Sequence, residues 1–395
     1  MHHGESAIQY DNQNTVFHIT SCYFIYLPGV SVRSLRSIEA FSTFCCQEIS
    51  QISPQVSVII AARNEASKIE GRIKNLLKQD YPPEKYEIIV ISDGSDDGTE
   101  EKVRKIASEQ TGFLPKISCY EYTPSQGKPT ALNTGITKAA GEIIVFTDAR
   151  QLFAENVITE LVANFSDPEI GGVSGELIFV KDGTSNIEIQ MGAYWQYEKM
   201  IRKMESNTGS VVGVTGAIYS IRRELYQQLQ NTAILDDVMV PMNIVMQGYR
   251  VIFDSSAVAY DVFSKNTIQE WHRKVRTLAG NWQMLSLNPA LMVPRLNPLW
   301  FRFLSHKIAR IIVPFFLILL LVTGMLQKDV YYNYFTVLQL LFYSAALIAF
   351  LIPSTRNFFI FQISYFFCVL NLAALKGFFI WITGGCKTIW TTNKS

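Results

Sequence analysis

The sequence lacks the motifs that mark several common classes of protein. Its six cysteines are scattered, none of them forms a Cys-x-x-Cys pair, and no two histidines have the spacing of zinc ligands. A net charge of +1 gives no reason to expect a nucleic-acid partner. Neither a G-x-G-x-x-G fingerprint nor a P-loop is present, which argues against a dinucleotide site and a P-loop nucleotide site. We therefore expect reduced thiols in a cytosol-facing chain and a ligand site of another kind.

Long apolar runs dominate the C-terminal quarter of the chain. Residues 308–326, 334–352 and 358–375 are almost free of charge, and each approaches the ~20 residues of a membrane-spanning helix. By the positive-inside rule, the basic residues before the first run place that side in the cytosol. These residues are Arg295, Arg302, His306 and Lys307, together with Arg310 at the start of the run itself. Three spans would leave Lys387 and Lys394 outside, against the same rule, so a re-entrant segment or an N-terminal span stays open.

Residues 1–53 show no clear periodicity. The apolar stretch at 15–32 contains His18 and Ser21 and has no basic segment before it, unlike a secretory signal peptide. We expect this N-terminal segment either to lie in the membrane interface or to form one weak span.

Residues 54–290 alternate apolar, β-branched runs with amphipathic segments, which is typical of a mostly parallel α/β sheet. The predicted buried strands are at 56–61, 87–92, 117–122 and 142–147. In such sheets ligands bind beyond the carboxyl ends of the strands. Polar clusters follow three of the strands, at 63–65, 93–98 and 148–150. The sequence therefore predicts one ligand site at this edge of the sheet.

Carboxylates near this edge suggest how a phosphorylated ligand is held. Asp93 lies in an acidic loop that would repel a bare diphosphate, so it suits contact with a base and ribose, or a bridging cation. Asp148 follows the fourth strand, where a carboxylate can ligate Mg²⁺ or Mn²⁺. The charge of that cation would neutralise a leaving diphosphate. In the pair Asp236 and Asp237, one carboxylate can act as general base while the other raises its proton affinity. Helix capping is the alternative for all of these positions.

Two further groups of residues each have two readings. Arg273 and Arg276 share one face of an amphipathic segment at 271–285. Their guanidinium groups suit either a diphosphate or the anionic headgroups of membrane lipids. Tyr194 and Trp195 suit either stacking on a sugar or packing in a core.

Taken in order, these pieces resemble the family 2 glycosyltransferases, which have the GT-A fold. The motifs that carry the resemblance are VSVIIAARNE at 56–65, IVISDGSDDG at 89–98, GKPTALNTG at 127–135, TDA at 147–149 and GVTGAIYSIRREL at 213–225. The resemblance divides the chain into an N-terminal segment at 1–53, a GT-A domain at 54–290, and an interfacial segment with about three transmembrane helices at 291–395.

The resemblance also implies roles for individual residues. Donor contacts fall on Ala62, Arg63, Glu65, Asp93, Asp97, Lys128, Asn133, Arg273 and Arg276. The acceptor side is formed by Gly216, with Tyr194 and Trp195. A divalent cation, Mg²⁺ or Mn²⁺, is expected at Asp148, and Asp237 with its neighbour Asp236 forms the catalytic pair. The chain departs from the family pattern in three places. Ser92 replaces a first Asp, Arg150 replaces the second acid of the D-x-D metal motif, and only Arg276 remains of the Q-x-x-R-W motif of processive synthases.

The reaction implied by the resemblance is an inverting transfer by single displacement. We expect a nucleotide-sugar donor, a lipid-linked or polysaccharide acceptor, membrane lipids as partners, and no nucleic acid. The expected location is the cell (inner) membrane, with several spans and a cytoplasmic catalytic domain. The alternative, which the three departures motivate, is a catalytically impaired family member that serves as an assembly subunit of a polysaccharide synthesis complex.

Overall fold

The computed structural model describes residues 53–110, 115–180, 198–262 and 267–386. The N-terminal segment predicted at 1–53 therefore lies outside the described residues, apart from its last position.

The described residues contain eight strands. They are β1 (Val56–Ala62), β2 (Tyr86–Asp93), β3 (Lys116–Tyr122), β4 (Ile143–Thr147), β5 (Leu152–Phe153), β6 (Ile170–Val180), β7 (Tyr219–Arg222) and β8 (Arg250–Val262). They join in one sheet in the order β3-β2-β1-β4-β7-β6-β8-β5. The first four are parallel, as predicted. The other half is mixed, because β7 runs antiparallel to β4 and β6, and β5 to β8, whereas β6 and β8 are parallel.

Helices cover both faces of this sheet. Those of the α/β domain are α1 (Ile69–Leu76), α2 (Thr99–Glu109), α3 (Lys128–Lys138), α4 (Val157–Ala163), α5 (198–207), α6 (Asp236–Met246) and α7 (Thr267–Leu287). Successive strand residues point to opposite faces. Ile59 accordingly packs in one core with Leu132 of α3, and Ile60 packs in a second core with Ile73 of α1. This two-sided burial is why β1 consists of apolar residues almost without interruption.

Three helices in the described part of the chain are long and apolar enough to cross a membrane. They are α8 (Trp300–Leu326), α9 (Val330–Leu351) and α10 (Phe359–Ile382). They match the three predicted spans. The first begins earlier than predicted, at Trp300, because the basic stretch before the apolar run is also helical and includes a π turn at Leu304–Ile308. Large apolar side chains such as Phe316 and Phe350 are exposed, as expected where lipid covers a helix.

The amphipathic helix α7 packs against the last of these helices. The Trp282 ring stacks on Trp381 with centroids 5.5 Å apart, and contacts Phe378 edge-on at 5.2 Å. A Cβ added at Gly377 would lie 2.8 Å from the backbone nitrogen of Ala279. The backbones of α7 and α10 are therefore in direct contact. This contact joins the α/β domain to the apolar helices.

We expect Gly377→Ala to destabilise the protein by about 1–3 kcal/mol, because its methyl group would press on backbone atoms of Leu278 and Ala279 and on the Leu278 Cβ, none of which can move without the helix. Gly71→Ala is the matched control, since Gly71 is also helical but has no atom within 4 Å of an added Cβ. That substitution should be neutral or stabilise by about 0.5–1 kcal/mol. Thermal unfolding of both variants in detergent measures the difference. Equal melting temperatures would contradict the close α7–α10 contact.

Candidate active site

Asp93 orders the loop that leads into α3. It ends β2, is fully buried, and accepts the N–H groups of Gln126 at 2.6 Å and Gly127 at 2.9 Å. The hydroxyl of Ser125 donates to the same carboxylate at 2.7 Å. These bonds fix the loop so that α3 begins at Lys128. Asp93 therefore anchors this loop, and its contact with a donor base stays a prediction.

The loops after β1 and β2 are tied to each other. The Asn64 N–H donates to Ser95 Oγ at 3.1 Å. Asp97 accepts the N–H of Ala66 at 2.9 Å and that of Thr99 at 3.1 Å. Because Asp97 spans both loops, it holds the β1 loop at the edge of the sheet. The predicted donor contacts at the end of β1 and in this loop are Ala62, Arg63 and Glu65.

One ammonium group joins the predicted metal carboxylate to the predicted catalytic pair. Lys128 Nζ donates a hydrogen bond to Asp148 Oδ1 at 3.1 Å and lies 3.2 Å from Asp236 Oδ2. The second contact is only an ion pair, because Asp236 Oδ2 accepts no hydrogen bond from the described residues. Burial lowers the pKa of Lys128, but the charges of Asp148 and Asp236 outweigh it and the pKa rises. Lys128 is therefore a permanent cation at this edge.

Asp237 lies in the first turn of α6, opposite Gly216. A Cβ added at Gly216 would lie 3.4 Å from Asp237 Cβ and 3.9 Å from both Asp237 Oδ2 and Lys128 Nζ. Glycine thus keeps side-chain atoms out of the space in front of these two groups. Burial, followed by the charge of Asp236, raises the pKa of Asp237. A raised proton affinity suits a general base.

Arg150, which stands in place of the second acid of the metal motif, binds a carboxylate on another strand. Its Nη2 donates to Asp261 Oδ2 at 2.7 Å, and Gln151 Nε2 donates to the same oxygen at 2.9 Å. Asp261 is buried on β8, so its charge is compensated by Arg150. The motif therefore offers one carboxylate to a metal, that of Asp148.

The buried guanidinium group of Arg72 lies near Asp148, and no sequence motif predicts it. Arg72 of α1 is fully buried, donates to Thr147 Oγ1 and Asn75 Oδ1, each at 2.7 Å, and lies 4.0 Å from the centroid of the Phe153 ring. Burial lowers the pKa of Arg72 to about 9, against the opposing effect of Asp148. Arg72 thus remains charged at neutral pH and places a positive charge near Asp148. Nothing in local spacing reveals it, since β4 comes from a distant part of the sequence.

Asn133, a predicted donor contact, binds a neighbouring segment of the chain. Its Nδ2 donates to the Leu229 carbonyl at 2.8 Å, while its Oδ1 accepts the Leu229 N–H at 3.0 Å and the Tyr226 hydroxyl at 2.7 Å. These contacts fasten the segment at 226–229 to α3. A role for Asn133 at the donor stays a prediction.

The structure does not show the remaining predicted contact residues beside Asp93, Asp148 or Asp237. Arg273 donates two hydrogen bonds to Glu270 of its own helix, both at 2.9 Å. Arg276 is exposed on the same helix. Tyr194 and Trp195 lie outside the described residues. Their roles at the diphosphate and the acceptor remain predictions.

The basic residues at the start of α8, which are predicted to lie on the cytosolic side, also bind the α/β domain. Arg302 donates to the carbonyl oxygen of Glu205 at 3.0 Å. The His306 ring nitrogens lie 3.3 Å from a Glu198 oxygen and 3.1 Å from a Glu205 oxygen. Arg310 Nη2 donates to Glu198 at 3.0 Å. The start of α8 is therefore docked on α5 by charged side chains.

The side chains at this edge fit a divalent cation that is shared with substrate. Within the described ranges, no group of three His, Cys, Asp or Glu side chains could hold a metal by itself. Mg²⁺ sites that act on phosphates commonly use one or two carboxylates, and phosphate oxygens and water complete the shell. Asp148, whose side chain is 37% exposed at the end of β4, is suited to be that protein ligand.

Comparisons with known proteins agree with this architecture. Residues 57–230 match the family model for Glycosyl transferase family 2. The poly-beta-1,6-N-acetyl-D-glucosamine synthase of Staphylococcus aureus (strain COL) is 26% identical over 234 residues, which cover 58% of this chain and 55% of the relative. "Probable glycosyltransferase YdaM" of Bacillus subtilis (strain 168) is 25% identical over 244 residues, with coverage of 58% and 55%. The chain thus matches about half the length of these curated relatives.

Among solved structures, a mannosyltransferase, PcManGT from Pyrobaculum calidifontis in complex with GDP-Man and Mn²⁺, aligns with a TM-score of 0.61. The alignment has 22% identity and covers 88% of this chain and 94% of that chain. This likeness concerns the fold alone, which is a GT-A α/β domain followed by apolar helices.

The fold and the acidic edge of the sheet are those expected of a nucleotide-sugar glycosyltransferase domain. More particularly, residues 57–230 form a domain that matches the Glycosyl transferase family 2 model, as the motifs predict.

Proposed function

We propose that this protein transfers a sugar from a nucleotide-sugar donor to a hydroxyl group of a polysaccharide or lipid-linked acceptor, with inversion at the anomeric carbon. One observation carries the proposal: Lys128 Nζ bridges Asp148 and Asp236 at the edge of the sheet, with Asp237 beside it. The S. aureus relative is named as a poly-beta-1,6-N-acetyl-D-glucosamine synthase. Nucleotide-linked N-acetylglucosamine is therefore the first donor to test.

On the donor side, Lys128 and a divalent cation would bind the diphosphate. Lys128 supplies a fixed ammonium group next to Asp148. A divalent cation at Asp148, when bound, neutralises the negative charge that develops on the leaving diphosphate. The loops held by Asp93 and Asp97 are preorganised beside these groups, where a nucleoside would bind.

On the acceptor side, Asp237 serves as the general base. It takes the proton of the attacking hydroxyl as that oxygen forms a bond to C1 of the sugar. The bond between C1 and the diphosphate oxygen breaks, and its electron pair leaves with the nucleoside diphosphate. Attack from the face opposite the leaving group inverts C1. Gly216 keeps the approach to Asp237 free of side-chain atoms.

The membrane helices suggest where the acceptor comes from. We infer that α8, α9 and α10 span a membrane and that α7 lies along its surface, since α7 packs on α10 through Trp282. By the positive-inside rule, the basic residues at the start of α8 favour a cytosolic position for the catalytic domain. An acceptor held in or emerging through the membrane would then reach Asp237 without leaving the bilayer surface.

A donor screen tests this function. The protein, purified in detergent, is incubated with several nucleotide sugars, with and without Mn²⁺, and the released nucleoside diphosphate is measured. We expect one donor to be consumed well above the others, and only with the divalent cation. Addition of a short β-linked N-acetylglucosamine oligosaccharide should increase its consumption.

A catalytically impaired assembly subunit is the second candidate, and Arg150 in the metal motif is the observation in its favour. It predicts no consumption of any donor in the screen, with or without Mn²⁺. That result would refute the proposed transfer reaction.

A further inference from the structure

The first membrane helix contains an irregularity at the point where it meets the catalytic domain. A π turn at Leu304–Ile308 interrupts the α-helical geometry of α8. Such turns are rare and occur frequently at functional sites, because one extra residue per turn redirects the side chains that follow. The turn contains His306, which lies between two glutamates of α5, and Lys307.

Lys307 reaches the loop in front of the proposed base. A Cβ added at Gly213 would lie 3.4 Å from Lys307 Nζ and 3.4 Å from the Asp237 carbonyl oxygen. The same loop continues through Val214, whose N–H donates to that carbonyl at 2.9 Å, to Gly216 beside the Asp237 carboxylate. The ammonium group of Lys307, on the first membrane helix, therefore lies beside the loop that packs against Asp237.

Several elements place charged or titratable groups around Asp237. They are Asp236 on α6 itself, Lys128 on α3, Arg202 on α5, Lys307 on α8 and the Tyr219 hydroxyl on β7. Lys128 is already engaged by Asp148 and Asp236. Arg202 donates to the Thr215 hydroxyl of the same loop. The charged groups that act on Lys307 are Glu198, Arg310, Asp237 and Arg202.

We propose that Lys307 is a positioning residue of the transfer reaction, which supplies from the first membrane helix a positive charge beside the loop that packs against Asp237. The inference rests on the proposed function, because it requires Asp237 to be the general base. Burial and the charge of Asp236 raise the pKa of Asp237. The charge of Lys307 opposes this rise, with a larger effect than the charges of Lys128 and Arg202. The base must be ionised to accept a proton, so loss of Lys307 should impair the enzyme most at low pH.

The dependence of kcat/KM on pH tests this role in the full-length protein in detergent. In Lys307→Met the acidic limb should move up by about one pH unit, so that activity on this limb falls about tenfold. Well above the limb the variant should approach wild-type activity. Lys307→Arg keeps the charge and should restore the wild-type limb. Lys203→Met, an exposed lysine on α5, is the matched control and should leave the profile unchanged.

The shape of the profile separates positioning from structural support. A uniform loss at every pH in Lys307→Met, or an unshifted limb, would overturn the proposal while leaving the transferase function intact. If the methionine variant does not fold, Lys307→Gln is compared with Lys307→Arg, and the same shift between them is required. An inactive wild-type protein would instead refute the proposed function, and this inference with it.

Discussion

Replacement of Asp237 by asparagine is expected to lower kcat by about 10²–10⁴, because the amide keeps the shape of the side chain but cannot accept the proton of the acceptor hydroxyl. The KM for the donor should change little, since the predicted donor loops are ordered by Asp93 and Asp97 and not by Asp237. Steady-state transfer to a defined acceptor measures both constants.

The control for this variant is Asp167→Asn, a half-buried aspartate before β6 whose Oδ1 accepts the Glu169 N–H. Its activity should equal that of the wild type. If Asp237→Asn and wild type transfer sugar at the same rate, Asp237 is not the base. Asp236→Asn, with the same readout, would then show whether the neighbouring carboxylate takes that role.

Replacement of Asp148 by asparagine is expected to reduce transfer about 10²–10³-fold and to shift the Mn²⁺ titration to higher concentration. The physical reason is that Arg150, which is paired with Asp261, stands where the metal motif would have a second acid. Asp148 is therefore the one carboxylate that the motif offers to the cation. Removal of divalent cations from the wild type with a chelator should have a similar effect, reversed by added Mn²⁺.

Mn²⁺ binding can be measured separately from turnover by electron paramagnetic resonance, in the presence of the nucleoside diphosphate. Asp148→Asn should weaken this binding, whereas Asp254→Asn, on β8 beside Asn164, should not. Unchanged Mn²⁺ binding and activity in Asp148→Asn would exclude Asp148 as the ligand. Activity of the wild type that resists the chelator would exclude the cation requirement.

The parallel half of the sheet could be predicted from sequence because its strands are short apolar runs separated by helices. That pattern has a strong period and is local in the chain. The antiparallel strands β7 and β5 were not predicted, since a strand's direction depends on which distant strand it pairs with. β7 pairs with β4 although about 70 residues lie between them.

The carboxylates of the site could also be predicted, because each lies next to a strand end or helix start within a recognisable motif. Their environment could not. Lys128 was expected near the donor, but its position between Asp148 and Asp236 depends on the meeting of three separate elements. Arg72 and Lys307 have no local motif, since each lies near a carboxylate that is far away in the sequence.

The sequence by itself determined the class of fold, the order of the motifs and the apolar helices, because these depend on hydrophobic periodicity and on short runs of residues. Only the tertiary structure decided which charges face one another. Asp93 binds the α3 loop, Arg150 pairs with Asp261, and a lysine of the first membrane helix lies beside the Asp237 loop. Electrostatic interactions act through space, and the spacing of residues along the chain does not record them.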